Sequence, residues 1–241
     1  MALPFFYINN YITGEKQITL DEDTSRHVVQ VLRMKAGEEL NLTDGRGNLL
    51  SCSIRDANKK HTVVEIKDTR YKEQGTRDKA QGTRRVSVAI SLLKNTNRFE
   101  WFLEKATEIG VNEIIPLLCE RTEKEKFRFD RMQGICISAM LQSQQCWLPV
   151  LREPTAFKDV IKMPADKKFI AHCEEGNKQE LGIQHFGTSA HQLICIGPEG
   201  DFTIQEIESA LKMNFIPVSL GETRLRTETA GVVAAVLLCH L

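Results

Sequence analysis

Two short segments bring glycine, carboxylate, hydroxyl and guanidinium groups together at spacings that packing alone does not demand. The first, Ile196-Gly197-Pro198-Glu199-Gly200-Asp201-Phe202, lies between an apolar run and a helix pattern. Glycines on both sides of a proline give a stiff loop whose backbone can approach a ligand closely. It is not the GxGxxG fingerprint of dinucleotide sites, nor a Walker loop, because no lysine follows its glycines. Taken alone, it fits a ligand loop and a bare strand-to-helix connection equally well. The second segment, Leu220-Gly221-Glu222-Thr223-Arg224-Leu225-Arg226-Thr227-Glu228-Thr229-Ala230, opens a helix. Arginines and threonines at a helix N-terminus can hold an anionic group such as a phosphate. Thr227 as a simple cap, with Glu228 favouring the positive helix end, accounts for the threonine and the glutamate. It does not account for Arg224 and Arg226 close to a positive dipole end, which points to function. A third feature, Ser138 to Gln145 (SAMLQSQQ), is weaker, since a polar cluster ending a helix fits an ordinary surface.

The elements around these segments set where they lie. From residue 86 onward, apolar runs at 86–93, 113–118, 168–173, 193–196 and 215–220 read as strands. They alternate with helix patterns at 99–109, 129–143, 157–163, 203–213 and 227–240. In the first helix Phe99, Phe102, Leu103, Ala106 and Ile109 share a face, and Thr203 with Glu206 forms a capping box on the fourth. Such alternation implies a mostly parallel α/β sheet. Both chemical segments follow predicted strands, at the carboxyl ends where open α/β sheets hold ligands. The first seventy or so residues differ. Short strand-like runs at 5–8, 39–43, 49–55 and 62–66, with a turn at Asp44-Gly45-Arg46-Gly47-Asn48, suggest a small barrel. One helix interrupts them, capped by Thr24 or Ser25, with Val28, Val29, Val31 and Leu32 on its apolar side. The polar run KEQGTRDKAQGTRR separates the halves. The expected domains are therefore a barrel at 1–72, a linker at 73–85 and an α/β domain at 86–241.

Composition narrows the classes. Of 241 residues, 41% are apolar and 27% charged, with zero formal net charge, which argues against a sequence-blind polyanion binder. A local basic stretch remains between Arg70 and Arg98 (Arg70, Lys72, Arg77, Lys79, Arg84, Arg85, Lys94, Arg98). No run approaches the roughly 20 apolar residues a bilayer span requires, and the first residues make a poor signal peptide. The seven cysteines show no CxxC pair, so reduced thiols, a cytoplasmic location and no metal site are expected.

Several further segments fall in a consistent order along the chain: H-x-x-x-VLR (His27 to Arg33), DG-x-G (Asp44 to Gly47), KATE-x-GV (Lys105 to Val111), P-x-x-x-ER (Pro116 to Arg121) and QS (Gln142-Ser143). With GPEG-x-F and LG-x-x-x-LRTETA they resemble the bacterial 16S rRNA uridine-N3 methyltransferases, the RsmE family of the SPOUT superfamily. The resemblance implies an N-terminal PUA-like β-barrel for RNA. It also implies a C-terminal α/β domain, a SPOUT-type parallel sheet with a trefoil knot, that works as a homodimer. S-adenosylmethionine would be lined by Ile196, Gly197, Pro198, Glu199 and Gly200, and by Leu220, Gly221, Leu225 and Arg226. His172 and Glu174 would join the same pocket. Arg226, Glu228 and Thr229 would lie near the methyl group and the target base. Arg226 would favour the developing uridine anion, and Glu199 or Glu228 would accept its proton. His27, Arg33, Arg84, Lys94, Arg98, Arg121 and Arg224 would meet 16S rRNA in the small ribosomal subunit, with no DNA and no membrane involved. The chain departs from the family pattern at Asp201, where glycine is usual, at Glu222-Thr223, where proline-arginine is frequent, and at Gln145. Three rival readings stand beside this one: a SPOUT ribose 2′-O-methyltransferase, a non-catalytic ribosome-assembly factor, and a metabolic α/β enzyme.

Overall fold

In a computed structural model, residues 3–72, 84–123, 126–182 and 191–240 are described. The chain forms two units, one of Met1–Gln74 with Met140–Leu148, the other of Gly75–Ala139 with Pro149–Leu241.

In the first unit, β1 (Phe5–Tyr7), β2 (Gln17–Thr19), β3 (Glu39–Thr43), β4 (Asn48–Asp56) and β5 (Val63–Tyr71) form one sheet. Its order is β1-β3-β4-β5-β2, and only the β1–β3 pair is parallel. Alternate residues face inward, so Leu40, Leu42, Leu50, Cys52, Ile54 and Val64 build a core with Phe6, Leu20 and Val28. Register shifts at Ser51/Cys52 and Ile54/Asp56 increase the local twist and curl the sheet.

The helix between β2 and β3 departs from expectation. α1 (Glu22–Arg26) is capped by Asp21, whose carboxylate accepts from Thr24 N at 2.7 Å, rather than by Thr24 or Ser25. The backbone then widens into a π-helical turn over His27–Val31, with Leu32 N donating to His27 O at 2.9 Å. That widening breaks the 3.6-residue stripe. Val28 is buried, while Val31 and Leu32 turn outward at 66% and 42% exposure.

The expected boundary also fails at 140–148, which belong with the first unit and not with the α/β domain. Cys146 O accepts from Gly47 N at 2.8 Å, Gly45 O from Leu148 N at 2.9 Å, and Lys72 O from Trp147 Nε1 at 2.7 Å. The turn glycines explain this fit. Gly45 and Gly47 hold φ of +68° and +97°, and a Cβ on Gly47 would lie 2.6 Å from the Trp147 ring. The expected linker at 73–85 falls almost wholly outside the described residues.

In the second unit the strands are β6 (Arg85–Ser91), β7 (Glu113–Leu118), β8 (Val150–Leu151), β9 (Thr155–Ala156), β10 (Lys167–Ala171), β11 (Gln179–Glu180), β12 (His191–Ile196) and β13 (Ile216–Ser219). They pair in the order β11-β13-β10-β12-β6-β7-β8, with β9 beside β7, and every pair is parallel. The helices are α2 (Thr96–Ile109), α3 (Phe129–Gln142), α4 (Phe157–Val160), α5 (Ile204–Lys212) and α6 (Thr227–His240). α2 buries Phe99, Phe102, Leu103 and Ala106 as its pattern requires, and stops at Gly110 in the left-handed conformation, φ +99°. The Thr203–Glu206 capping box on α5 is present. α6 packs on β6 and α2 through Gly231, where a Cβ would stand 2.7 Å from both Ile90 and Phe102. At the opposite sheet edge from the strand carboxyl ends, Glu113 binds Ser87 Oγ at 2.6 Å, Arg152 at 2.7 Å and Arg85 at 3.1 Å.

Candidate active site

β13, β10 and β12 are adjacent and parallel, so the chain leaves the same sheet edge three times, at residues 172–178, 197–203 and 220–226. These three loops enclose a cavity of about 670 Å³. It lies where an open α/β sheet should hold a ligand, and its size suits a nucleoside-scale molecule.

Each loop is shaped by a local rule. Gly197 and Pro198 are buried. Gly197 has no room for a side chain, since a Cβ would lie 3.0 Å from the Phe202 ring and 3.2 Å from Phe202 N. Arg121 donates to Gly200 O at 2.7 Å and braces the same loop from behind. Glu199 accepts from Lys94 N at 3.3 Å. In the third loop Gly221 takes φ +132°, which an L side chain rarely adopts. α6 then begins, and Arg226 O accepts from Ala230 N at 2.8 Å. Thr227 therefore lies inside the helix rather than capping it, and Arg226 sits at the positive end.

Among the expected cofactor residues, His172, Ile196, Gly197, Pro198, Glu199, Leu220, Gly221, Leu225 and Arg226 line the cavity. Gly200 and Glu174 flank it without lining it. Of the expected catalytic residues, Arg226 and Glu228 line it and Thr229 does not. Arg98 and Arg224, expected at RNA, line it as well. Arg98 Nε stands 3.6 Å from Glu228 Oε1, while Glu228 Oε2 is buried without a hydrogen-bond partner among the described residues. His27 and Arg33 are exposed in the first unit, Arg33 at φ +56°. Lys94 pairs with Glu123 at 2.8 Å. Arg84 precedes β6, outside the cavity lining. The cavity therefore gathers two of the seven residues assigned to RNA.

Sequence reasoning missed Asp201, Cys173, Lys178 and Ser219 as cavity residues. Only Asp201 carried a signal, as a departure from pattern. Burial, then the nearby Lys178 charge, holds the His172 imidazole below its ordinary range, with Asp201 and Glu174 opposing. His172 Nδ1 is likewise buried and unpartnered among the described residues. Two orphaned polar atoms beside a glycine-lined backbone cradle fit a polar cofactor that supplies their missing partners.

Residues 80–239 match the RNA methyltransferase domain family, and residues 20–67 match the RNA methyltransferase PUA domain. The chain belongs to the RNA methyltransferase family. A Synechocystis protein named ribosomal RNA small subunit methyltransferase E is 30% identical over 91% of this chain and 72% of its own. A crystal structure of a probable rRNA-methyltransferase from Porphyromonas gingivalis is 38% identical, with a TM-score of 0.88 over 99% of this chain and all of the other. Ribosomal RNA small subunit methyltransferase E from Neisseria gonorrhoeae, solved with S-adenosyl methionine, is 27% identical. It gives a TM-score of 0.81 and covers 97% of this chain and 95% of its own.

Proposed function

We propose that this protein transfers the methyl group of S-adenosylmethionine to N3 of a uridine in the 16S rRNA of the small ribosomal subunit. The observation that carries the reading is Glu228. It is a carboxylate with 7% exposure on the cavity wall, with one oxygen beside Arg98 and the other unpartnered among the described residues. Burying an acceptor without a partner costs about 1–3 kcal/mol, so a ligand donor is the natural complement.

The residues divide the work. Gly197, Pro198, Leu220 and Gly221 present backbone to the cofactor, and His172 offers its ring nitrogen. Bound there, S-adenosylmethionine supplies an already electrophilic methyl group, so alignment is the protein's main task. Glu228 Oε2 takes the N3 proton of the uracil, and Arg98 holds the opposite oxygen in place. Arg226 faces the negative charge that develops on the uracil oxygens as N3 loses its proton. The family's PUA domain, with exposed His27 and Arg33, grips RNA phosphate and shape, joined by Arg84, Lys94, Arg121 and Arg224. Substrate on the ribosome places this work in the cytoplasm.

The protein acts as a homodimer. α6 is apolar along nearly its whole length, yet Val236 remains 41% exposed and Val232 and Val233, one turn earlier, are only half-buried, a face that a second copy would cover. Val236→Glu should then convert a dimer to a monomer in sedimentation, and a monomeric wild type would refute the dimer.

Incubation with methyl-labelled S-adenosylmethionine and small subunits lacking the modification tests the reaction. Label in 3-methyluridine is expected. Label in a ribose-methylated nucleoside would move the acceptor to the 2′ oxygen, and subunit binding without label would favour an assembly factor.

A further inference from the structure

Asp201 stands in the left-handed region, φ +62°, where glycine would be at ease and an aspartate is not. Its N–H donates to Pro198 O at 2.9 Å, closing the tight turn of the glycine loop. A turn alone would favour glycine, so the side chain needs another reason. The carboxylate supplies one. Oδ2 accepts from Cys173 N at 2.7 Å, across 28 residues of chain, and Oδ1 accepts from Phe202 N at 2.8 Å. Asp201 thus ties the loop after β10 to the loop after β12, and both line the cavity. Within the β10 loop, Lys178 Nζ donates to His172 O at 3.1 Å, so the segment is folded on itself and fastened at Cys173.

We propose that Asp201 is a positioning residue that latches the 172–178 loop onto the glycine loop and so presets the cofactor cavity, rests His172 against it, and sets cofactor affinity. The inference deepens the S-adenosylmethionine reading and relies on it. A glycine at this position leaves the turn intact and removes the latch, whereas asparagine keeps the left-handed turn and one acceptor. The two substitutions therefore separate latch from turn.

The test is calorimetric titration of S-adenosylmethionine into wild-type, Asp201→Asn and Asp201→Gly proteins, with thermal melts alongside. The latch predicts affinity about tenfold weaker for Asp201→Gly and within about twofold of wild type for Asp201→Asn, as expected for losing a charge-assisted hydrogen bond. The Asp201→Gly protein should melt no lower than wild type. Amide exchange at Cys173 gives a readout that needs no cofactor, and should quicken in Asp201→Gly alone. Equal affinities and unchanged Cys173 exchange would reduce Asp201 to a turn residue and overturn the inference. If wild type bound no S-adenosylmethionine while Cys173 exchange still quickened in Asp201→Gly, the cofactor reading and the affinity claim would fall and the latch itself would stand.

Discussion

Arg226 precedes the first turn of α6, where its carbonyl accepts from Ala230 N, so the residue sits at the positive end of a helix dipole. A cation there is unfavourable by about 0.3–1 kcal/mol, and in the proposed reaction the negative charge that develops on the uracil offsets that cost. Arg226→Ala should therefore lower kcat by about 10²–10³-fold while leaving the unfolding midpoint unchanged or slightly higher. Methyl-transfer kinetics beside a urea melt would show it, and normal turnover would remove Arg226 from the chemistry. Glu228→Gln keeps shape and removes the proposed base. Its kcat should drop by about 10²–10⁴-fold with calorimetric cofactor affinity preserved. At this scale the sequence was legible wherever a motif packed several chemical groups into one loop, as in 196–202 and 220–230. It was not legible for Arg98, whose basic neighbours made it look like part of an RNA-facing stretch. Only the packing of α2 against α6 turns it towards Glu228, and no local pattern encodes that pairing.

The Glu113 cluster joins β6, β7 and the chain after β8 at the sheet edge away from the cavity. Burial pushes the Glu113 carboxyl up, but hydrogen bonds from Ser87 and Arg152 and the charges of Arg85 and Arg152 outweigh it, leaving it below the usual range. A carboxylate depressed in the folded state contributes stability above its unfolded value, and that contribution fades as pH falls through the folded one. Glu113→Gln should thus cost on the order of 2 kcal/mol at pH 7, since both arginines are half-exposed and screened, and much less in acid, once pH has fallen through that lowered range. Urea melts across that range would check it, and a cost independent of pH would contradict the ion-pair account. Long periodic elements such as β7 and α6 were legible to the residue, and α2 to within three at its start, because burial and periodicity agree there. β2, β8, β9 and β11 were not. Each has two or three residues, too few for any period to show, and exists only because a neighbouring strand offers its edge. The π-helical turn at His27–Val31 hid for a related reason, since one widened turn rewrites which side of the helix faces the core. The trefoil knot rests on the family resemblance, because strand order records pairing and not threading.

Seen at the scale of the molecule, the first unit is built from two separated stretches of chain, with Trp147 filling the space that Gly47 leaves open. A fragment of residues 1–72 lacks that side chain and the hydrogen bonds from Trp147 and Leu148. Losing a packed tryptophan costs about 3–5 kcal/mol, a large share of what so small a unit can muster. The fragment should melt far below the intact protein by circular dichroism, and equal midpoints would show that 140–148 are dispensable. Sequence segmentation could not find this return, because residues 140–142 are the last turn of α3, a helix that begins among the residues of the second unit. All seven cysteines are free, and six are buried, with burial pushing the Cys52 and Cys136 thiols up to about 12 and about 11. Cys173 is the exposed one, on the cavity rim. A maleimide dye added to the native protein should therefore mark one sulfur and ignore the rest. Without any engineered label, the pace of that marking becomes a stopwatch for how often the rim is covered by whatever the cavity holds.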